Sequence, residues 1–344
     1  MTPSAPRVSA VVLAYLEEPW VENCVRALLA SDAVRADVVV VDNGCTTTAV
    51  DRLKKMDRVT VLSPGRNLGF AGGCNCCNLG ATAATGEFLA LINADALVEP
   101  TALARLVAVA AGPRVGIASG SIRLADVPDR LNSAGNRLHF LGLSWAGAFG
   151  EAAADHPANR DVACASGAAM MLRRELWEDL GGFDPAYFAY LEDAEMSWRC
   201  WQRGPRVVYV AGAVVLHRYE FSRNKRKLYL LERNRLLLLS TLYARRTLVL
   251  LLPALVALEL GIWVMAVAGG WARQKAAGWG WLLRHGGWLR RRRALIQAQR
   301  VVTDRDLAKL LTSRFEPANI TSPPGVDCVN AVLDGYWSTV RRWL

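Results

Sequence analysis

Several signatures of common nucleotide-binding and metal-binding proteins are missing from this 344-residue chain. No Gly-x-Gly-x-x-Gly motif follows the first apolar run and no Gly-x-x-x-x-Gly-Lys-Ser/Thr motif occurs, which argues against nicotinamide-dependent dehydrogenases and P-loop enzymes. No Cys-x-x-Cys pair recurs among the eight cysteines, which argues against a zinc ribbon. The thinly spread aromatic residues form no basic–aromatic stripe, so we expect no nucleic-acid partner.

Other absences concern the compartment and the architecture. No secretory signal precedes Val8, so we expect a reducing compartment in which the thiols are free. No internal repeat or low-complexity segment is visible. What the chain does have is an apolar fraction of 52% and a net charge of +10, which predicts affinity for phosphates or for a lipid surface. Its length allows two domains, or one domain with an appendage.

The first third of the sequence alternates buried-looking strands with helical spacings. A continuous apolar run is typical of a strand that is covered on both faces. Five such runs lie at residues 8–15, 36–43, 58–62, 87–93 and 115–120. This order predicts an α/β fold with a mostly parallel sheet flanked by helices. Residues 121–163 are irregular, and a helix at 191–204 then precedes two more predicted strands that end at His217.

The character of the chain changes after Tyr219, where it becomes basic and rich in leucine. The segment Thr247 to Gly270 is long enough to cross a bilayer, which takes about 20 apolar residues. It contains Pro253 and Glu259, and a carboxylate at mid-depth is unfavourable. A span, a re-entrant helix pair, an interfacial helix and a buried hairpin therefore all stay open. Nearby tryptophans and the run Arg290–Arg293 favour contact with an anionic membrane.

Polar residues follow four of the predicted strands at the point where each ends. Tyr15 follows the first strand, Asp42-Asn43-Gly44 the second, "PGRNLGFAGGCN" the third and Asn93-Ala94-Asp95 the fourth. Ligands of doubly wound sheets bind outside the carboxyl ends of the strands. We therefore expect a ligand site at this edge, although each group alone is also compatible with a plain polar turn.

The chain resembles the inverting glycosyltransferases of family 2, which have the GT-A fold, and within them a rhamnosyltransferase-like branch that acts on lipid-linked acceptors. The resemblance covers residues 8–222 and rests on the order and spacing of six motifs: "VVLAY", "VVVDNG", "RNLGFAGGCN", "INAD", "ASGAAMMLRRELWEDLGGFDPAYFAYLEDAEMSWRCWQRG" and "VVLH". It implies a Rossmann-like catalytic domain at 1–222, with a nucleotide-sugar half at about 1–120 and an acceptor half at about 121–222. Residues 223–344 would form a basic, hydrophobic, membrane-associated helical region.

The resemblance also implies roles for individual residues. Asp95 and His217 would bind Mg²⁺ or Mn²⁺, and Glu192 and Asp193 would be the acidic pair near the acceptor, with Asp193 as general base. Plain structural roles for these acids and for His217 are the alternatives. The nucleotide-sugar would be bound by Tyr15, Asp42, Arg66, Asn67, Gly72, Gly73 and Asn93.

The implied activity is transfer of a sugar, with rhamnose from thymidine-diphosphate rhamnose as first candidate, to a polyprenyl-diphosphate-linked glycan with inversion. Such an enzyme would serve cell-envelope polysaccharide synthesis from the cytoplasmic face of the cell membrane, as a peripheral or integral protein; a homo-oligomer is left open. The family often has two acids where this chain has Asn93 and Asp95. Asn93 therefore keeps a second hypothesis open: a catalytically silent membrane-surface binding protein that retains the GT-A fold.

Overall fold

The computed structural model describes residues 5–70, 76–218, 226–317 and 325–344. The chain forms two compact units. The first takes up Met1–Asn136, Ala146–Cys200 and Pro205–Glu220, and the second takes up Arg137–Trp145, Trp201–Gly204 and Phe221–Leu344. Two short pieces of the predicted catalytic domain thus belong to the second unit.

Strands and helices alternate through the first unit, and helices dominate the second. The strands are β1 (Arg7–Leu16), β2 (Arg35–Cys45), β3 (Val59–Leu62), β4 (Phe88–Asn93), β5 (Ala96–Val98), β6 (Val115–Leu124), β7 (Val127–Ser133), β8 (Asn136–His139), β9 (Ser144–Ala146), β10 (Arg160–Asp161), β11 (Ala169–Arg173), β12 (Arg206–His217) and β13 (Leu311–Thr312). The helices are α1 (Val21–Leu29), α2 (Ala49–Leu53), α3 (Cys76–Ala83), α4 (Ala102–Ala110), α5 (Arg174–Leu180), α6 (Glu192–Gln202), α7 (Lys227–Leu242), α8 (Arg245–Ala268), α9 (Ala272–Arg284), α10 (Gly286–Ala298), α11 (Asp304–Leu307) and α12 (Val326–Val340).

A mostly parallel sheet organises the first unit, as the apolar runs predict. Its order is β10-β12-β6-β11-β4-β1-β2-β3, with β5 paired to β12 and β7 to β6. β3, β2, β1 and β4 are parallel neighbours, and β12 is parallel to β6. β11 lies antiparallel between β4 and β6. The carboxyl ends of β1, β2 and β4 therefore share one edge, where the polar strand ends lie.

A hydrophobic core cluster of this unit is formed by alternate side chains of β1, β2 and β4, which lie on one face of the sheet, and by α1, α2 and α4. In α3, Cys76 and Cys77 are buried. A Cβ at Gly80 would lie 2.4 Å from a methyl of Val11, so α3 can approach β1 this closely only with glycine at that position.

The predicted strands near the end of the first unit need one correction. Sequence patterning predicts two separate strands at 206–210 and 213–217, but the structure has the single strand β12. The pairing of β12 with β6 shifts register between Val210 and Val214, because the chain contains extra residues around Gly212. This irregularity resembles a strand break in the sequence.

In the second unit, α7, α9 and α10 pack against one another and α8 contacts α9. A small sheet, in the order β13-β8-β9, belongs mainly to the same unit. Phe140 stacks on Trp337 of α12 at 4.8 Å between ring centroids. Among the described residues, α8 is the one helix long and apolar enough to cross a membrane by length and composition.

Candidate active site

Asp95 and His217 come together because the chain reverses after β4. The strand β4 ends at Asn93, and the chain makes a turn at Ala94 and Asp95. The next strand, β5, then pairs antiparallel with β12, so that Ala96 lies opposite His217. The backbone N–H of Arg218 also donates to the Asp95 carbonyl at 3.1 Å. As a result Asp95 Oδ1 lies 3.2 Å from His217 Nε2, although the residues are far apart in sequence.

Asn132 determines which ring nitrogen of His217 faces Asp95. The Asn132 side chain is buried, and its Oδ1 lies 2.9 Å from His217 Nδ1. An amide oxygen only accepts, so Nδ1 carries a proton and Nε2 is the ring nitrogen that faces Asp95. Asn93 Nδ2 lies 3.4 Å from the same Nε2.

These residues fit a divalent cation together with further ligands. Two neighbouring ligands of an octahedral Mg²⁺ or Mn²⁺, with bonds of about 2.1 Å, lie about 3 Å apart, close to the observed O–N separation. Carboxylate and amide oxygens suit these ions, and an imidazole suits Mn²⁺. Among the described residues, no group of three or more His, Cys, Asp or Glu side chains could hold a metal. A cation held by the described residues would take its other ligands from water or from a bound diphosphate.

Asp193 is held at the start of α6 by several hydrogen-bond donors. Its Oδ2 accepts from the backbone N–H of Gly167 at 3.0 Å and from Asn136 Nδ2 at 3.2 Å, and its Oδ1 accepts from the Ala194 N–H at 2.7 Å. Burial raises the pKa of Asp193, and these donors partly offset the rise. The carboxylate is thus fixed in orientation and more basic than an ordinary aspartate.

One short segment connects the two predicted centres. The backbone N–H of Asn93 donates to the Ala168 carbonyl at 3.0 Å, and the next residue back, Gly167, donates to Asp193. The strand end that carries Asn93 and Asp95 is therefore adjacent to the segment that orients Asp193. The structure brings these predicted residues to the same edge of the sheet.

The loop after β3 is tied to the end of β2 by a buried asparagine. Asn43 Nδ2 donates to Asn67 Oδ1 at 2.9 Å, and Asn43 Oδ1 accepts from the Leu68 N–H at 2.7 Å. Asp42 closes the turn after β2, since its Oδ1 accepts from the N–H groups of Gly44 and Cys45. Asp42 Oδ2 also accepts from Ser63, 3.3 Å away.

The remaining predicted donor-binding residues are placed less tightly. Tyr15 is 39% exposed at the end of β1, where the pairing with β2 is irregular. Arg66 is exposed in the loop after β3. Gly72 and Gly73 lie outside the described residues, so their predicted contact with the nucleotide-sugar stays a prediction.

The chain that leads into the acidic pair has an unusual backbone. Phe188, Tyr190 and Leu191 have φ values of +62°, +70° and +67°, a backbone region that residues other than glycine rarely adopt. Gly69 allows Phe188 to approach, because a Cβ there would lie 2.4 Å from the Phe188 carbonyl oxygen. Such conformations persist where the surrounding structure enforces them, often at functional sites. The loop after β3 thus meets the segment between α5 and α6, which leads directly into Glu192 and Asp193.

Glu192 is expected to destabilise the fold at neutral pH. It is buried, and no partner of its Oε2 is found within the described part of the chain. Burial and the charge of Asp193 raise the pKa of Glu192, so its ionised form is disfavoured in the folded protein. We expect Glu192→Gln to raise the melting temperature by about 2–4 °C at pH 7.5.

The pH dependence distinguishes this effect from a general gain in packing. A carboxyl group with a raised folded-state pKa weakens the fold only where the unfolded chain ionises, so the advantage of Glu192→Gln should vanish below about pH 4. Scanning fluorimetry from pH 4 to 8 measures it, with exposed Glu87→Gln as the matched control. An equal gain at every pH would contradict the electrostatic cause.

Sequence patterning missed the polar residues that orient the site. Asn132 and Asn136 lie within the irregular stretch that shows no periodicity, and the Gly167 contribution is a backbone N–H. In the sequence, Asn43 is recognisable only as part of the polar group that ends the second strand. The available signal was the concentration of asparagine in 121–163. Arg199 of the same helix as Asp193 forms a buried ion pair with Glu195 at 2.6 Å.

Comparison with solved structures identifies the fold. GalNAc-T7 crystallised with UDP, GalNAc and Mn²⁺ matches with a TM-score of 0.59 at 17% identity, over 70% of this chain and 49% of that longer chain. The mannosyltransferase PcManGT of Pyrobaculum calidifontis, in complex with GDP-Man and Mn²⁺, matches with a TM-score of 0.51 at 21% identity, over 86% of each chain. The protein has the GT-A fold of glycosyltransferases, as the resemblance implied.

Sequence comparison identifies the family. The model described as glycosyltransferase like family 2 matches residues 6–236, about two thirds of the chain, and the protein therefore belongs to this family of glycosyltransferases. A curated relative, the N-acetylglucosaminyl-diphospho-decaprenol L-rhamnosyltransferase of Mycobacterium tuberculosis, is 28% identical over 231 residues. The match covers 60% of this chain and 74% of the relative.

Proposed function

We propose that the protein transfers a sugar, with rhamnose as first candidate, from a nucleoside-diphosphate donor to a polyprenyl-diphosphate-linked saccharide, with inversion at the anomeric carbon. The observation that carries the proposal is the Gly167–Ala168 segment, which bonds both to the strand end bearing Asn93 and to the carboxylate of Asp193. A donor diphosphate at the former would place its sugar toward a proton acceptor at the latter.

Asp193 is the general base in this proposal. It takes the proton from an acceptor hydroxyl whose oxygen attacks the anomeric carbon, while the C–O bond to the diphosphate breaks and its electron pair leaves with the nucleoside diphosphate. A single displacement from the opposite face inverts the anomeric centre. The N–H groups that hold Asp193 keep its carboxylate in one orientation, so the base need not reorganise during the reaction.

Asp95 and His217 would hold Mg²⁺ or Mn²⁺ beside the donor diphosphate, with Asn93 next to them. When bound, such an ion neutralises the negative charge that develops on the leaving diphosphate. Asn132 holds the His217 ring so that Nε2 faces this position. The Mn²⁺ complexes of two structural neighbours support the choice of ion.

The donor nucleotide would be held by the other polar strand ends. Tyr15 and Asp42 would contact the base and ribose, and Arg66 and Asn67 would line the pocket. Asn43 keeps Asn67 in place from its buried position between the strand end and the loop. The predicted glycine contacts at 72 and 73 complete this set.

A lipid-linked acceptor is supported by the M. tuberculosis relative, whose name specifies a diphospho-decaprenol-linked N-acetylglucosamine. Because such an acceptor stays in the bilayer, we propose that the protein works at the cytoplasmic face of the membrane in cell-envelope polysaccharide synthesis. The net charge of +10 and the apolar helix α8 favour that location.

A donor panel tests the function. The full chain is incubated with thymidine-diphosphate rhamnose or with UDP- and GDP-sugars, with polyprenyl-diphosphate N-acetylglucosamine and with Mg²⁺ or Mn²⁺. We expect acceptor-dependent release of nucleoside diphosphate with one donor, and an inverted anomeric configuration of the product by NMR. Release with no donor under any condition would favour the silent binding protein, and retention would exclude single displacement.

A further inference from the structure

The exposed surface of α8 is an uninterrupted apolar stripe. Six of its large side chains are 49–70% exposed, and their spacing of three or four residues places them along one side of the helix. They are Val249, Leu252, Val256, Leu260, Val264 and Val267. An exposed apolar surface of this length indicates a site of interaction.

The other side of α8 is covered by protein along most of its length. Thr247 and the Ala244 N–H both donate to Asp304 of α11 near the helix start. Tyr336 of α12 donates its hydroxyl hydrogen to the Leu250 carbonyl at 2.6 Å. Lys275 of α9 lies 5.7 Å from the ring centroid of Trp263. From Thr247 to Trp263 the helix rises about 24 Å, so one face is covered over most of the thickness of a bilayer core.

The covered side also contains the carboxylate that argues against a simple span. Glu259 contacts Arg235 of α7, and its Oε2 lies 2.9 Å from Lys275 Nζ. Glu232 lies 2.8 Å from the same Nζ and 3.2 Å from Arg235. Burial raises the pKa of Glu259, but the two cations outweigh that effect and hold it below the ordinary glutamate value. The charges of Arg235 and Lys275 are therefore neutralised by those of Glu232 and Glu259 on the covered side of α8.

Cations lie at both ends of α8. Arg245 and Arg246 are exposed at its start, and Arg273 is exposed just beyond its end. Burial, followed by the charges of Arg245 and Arg300, lowers the pKa of Arg293 of α10. Positive charge around the helix start is therefore in excess over the nearby Asp304. Arginine at a helix N-terminus opposes the helix dipole, which makes an anion favourable there.

The partners of α8 exclude a simple crossing of the bilayer. If α8 crossed, α9 would be carried into the hydrocarbon with it, because Lys275 and Trp279 both bond to Glu259. α9 also has exposed Arg273 and Arg284, and each arginine at mid-membrane costs about 2.5–3.5 kcal/mol on insertion scales. With α8 parallel to the surface, the stripe enters lipid while the covered side and its charges remain outside.

We infer that α8 lies in the plane of an anionic membrane, with the stripe from Val249 to Val267 inserted about 5–10 Å and the flanking arginines at lipid phosphates. The inference deepens the membrane association of the proposed function by naming the surface and the lipid charge. A protein bound in this way is monotopic, which means that it inserts into one leaflet and does not cross the membrane. The assays below contain no nucleotide sugar, so their failure would leave the proposed transfer reaction standing.

Vesicle flotation tests the surface. We expect the purified full chain to bind preformed vesicles of phosphatidylcholine with 30 mol% phosphatidylglycerol more tightly than pure phosphatidylcholine. The variant Val256→Gln/Leu260→Gln/Val264→Gln keeps the charge and the helix propensity, and it should weaken binding about tenfold or more. The control Val127→Gln/Val301→Gln changes exposed apolar residues outside α8 and should bind as the wild type does.

Depth measurement separates an in-plane helix from a spanning one. A fluorophore is attached to Val249→Cys, Val256→Cys or Val264→Cys in a Cys328→Ser background, which removes an exposed thiol. We expect all three positions to be quenched more by lipids with a nitroxide near the headgroup than by lipids with a deep nitroxide. Deeper quenching at 256 alone would overturn the inference in favour of a span. Absence of vesicle binding, with the stripe buried in a dimer, would overturn it in favour of self-association.

Discussion

Replacing Asp193 by asparagine is expected to lower kcat by about 10²- to 10⁴-fold while the affinity for the donor changes little. The range is that of a positioned general base, which this carboxylate would supply to the acceptor hydroxyl. Asparagine keeps the size of the side chain but only one acceptor oxygen, so either the Gly167 N–H or the Ala194 N–H loses its acceptor, and the melting temperature of the variant is compared with that of the wild type. Turnover and donor binding by calorimetry are measured on the same preparation.

The pH profile gives this test a second measurement. Only the carboxylate accepts a proton, and burial raises the pKa of Asp193, so the rate should fall with decreasing pH through a value above the ordinary aspartate range. Asn136→Ala removes a donor to Oδ2 and should move that acidic limb to higher pH. Exposed Asp129→Asn is the matched control and should change neither kcat nor the profile. Retained activity in Asp193→Asn would remove the residue from the mechanism.

The parallel half of the fold could be predicted because burial on both faces produces continuous apolar runs. β1, β2 and β4 follow such runs closely, and their polar ends were placed at one edge by the geometry of parallel strands. The antiparallel insertion of β11 between β4 and β6 was not predictable, because its apolar residues are equally compatible with either direction. Strand direction here depends on pairing rather than on local sequence.

Neither the strands nor the site residues in the irregular stretch at 121–163 could be predicted from the sequence. β7 is exposed in its first four residues, and β8 and β9 are four and three residues long, too short for any periodicity. Asn132 and Asn136 acquire their roles only through contacts with His217 and Asp193, which are distant in sequence. The neighbouring sequence does not reveal these contacts, whereas Asp95 is recognisable because it follows a buried strand.

The apolar segment at 247–270 shows where composition stops being informative. Its sequence leaves several membrane placements open because it does not show which side of the helix Glu259 faces. The structure supplies its partners: Arg235 precedes the helix, Lys275 follows it, and both approach from the same side. The predicted alternative of a buried hairpin is wrong for α8, because large apolar side chains from Val249 to Val267 are exposed.

The second large effect is expected at the predicted cation site. Asp95→Asn should weaken Mn²⁺ binding in the presence of nucleoside diphosphate by about 10²-fold, because it removes the carboxylate that lies 3.2 Å from His217 Nε2. Turnover should fall at least as far, and higher Mn²⁺ should restore part of it. Calorimetry and electron paramagnetic resonance of Mn²⁺ measure the loss without relying on activity. Asp129→Asn again serves as the control.

The variant Asn93→Asp tests the same cation site in the opposite direction. Asn93 lies 3.4 Å from His217 Nε2, so an aspartate there would add a second negative oxygen ligand next to Asp95. We expect Mn²⁺ affinity to rise about tenfold, equivalent to about 1.4 kcal/mol. Metal affinity that is unchanged in both Asn93→Asp and Asp95→Asn would show that the cation binds elsewhere. A gain in the first variant with a loss in the second would establish that the carboxamide at 93 limits metal binding in this chain.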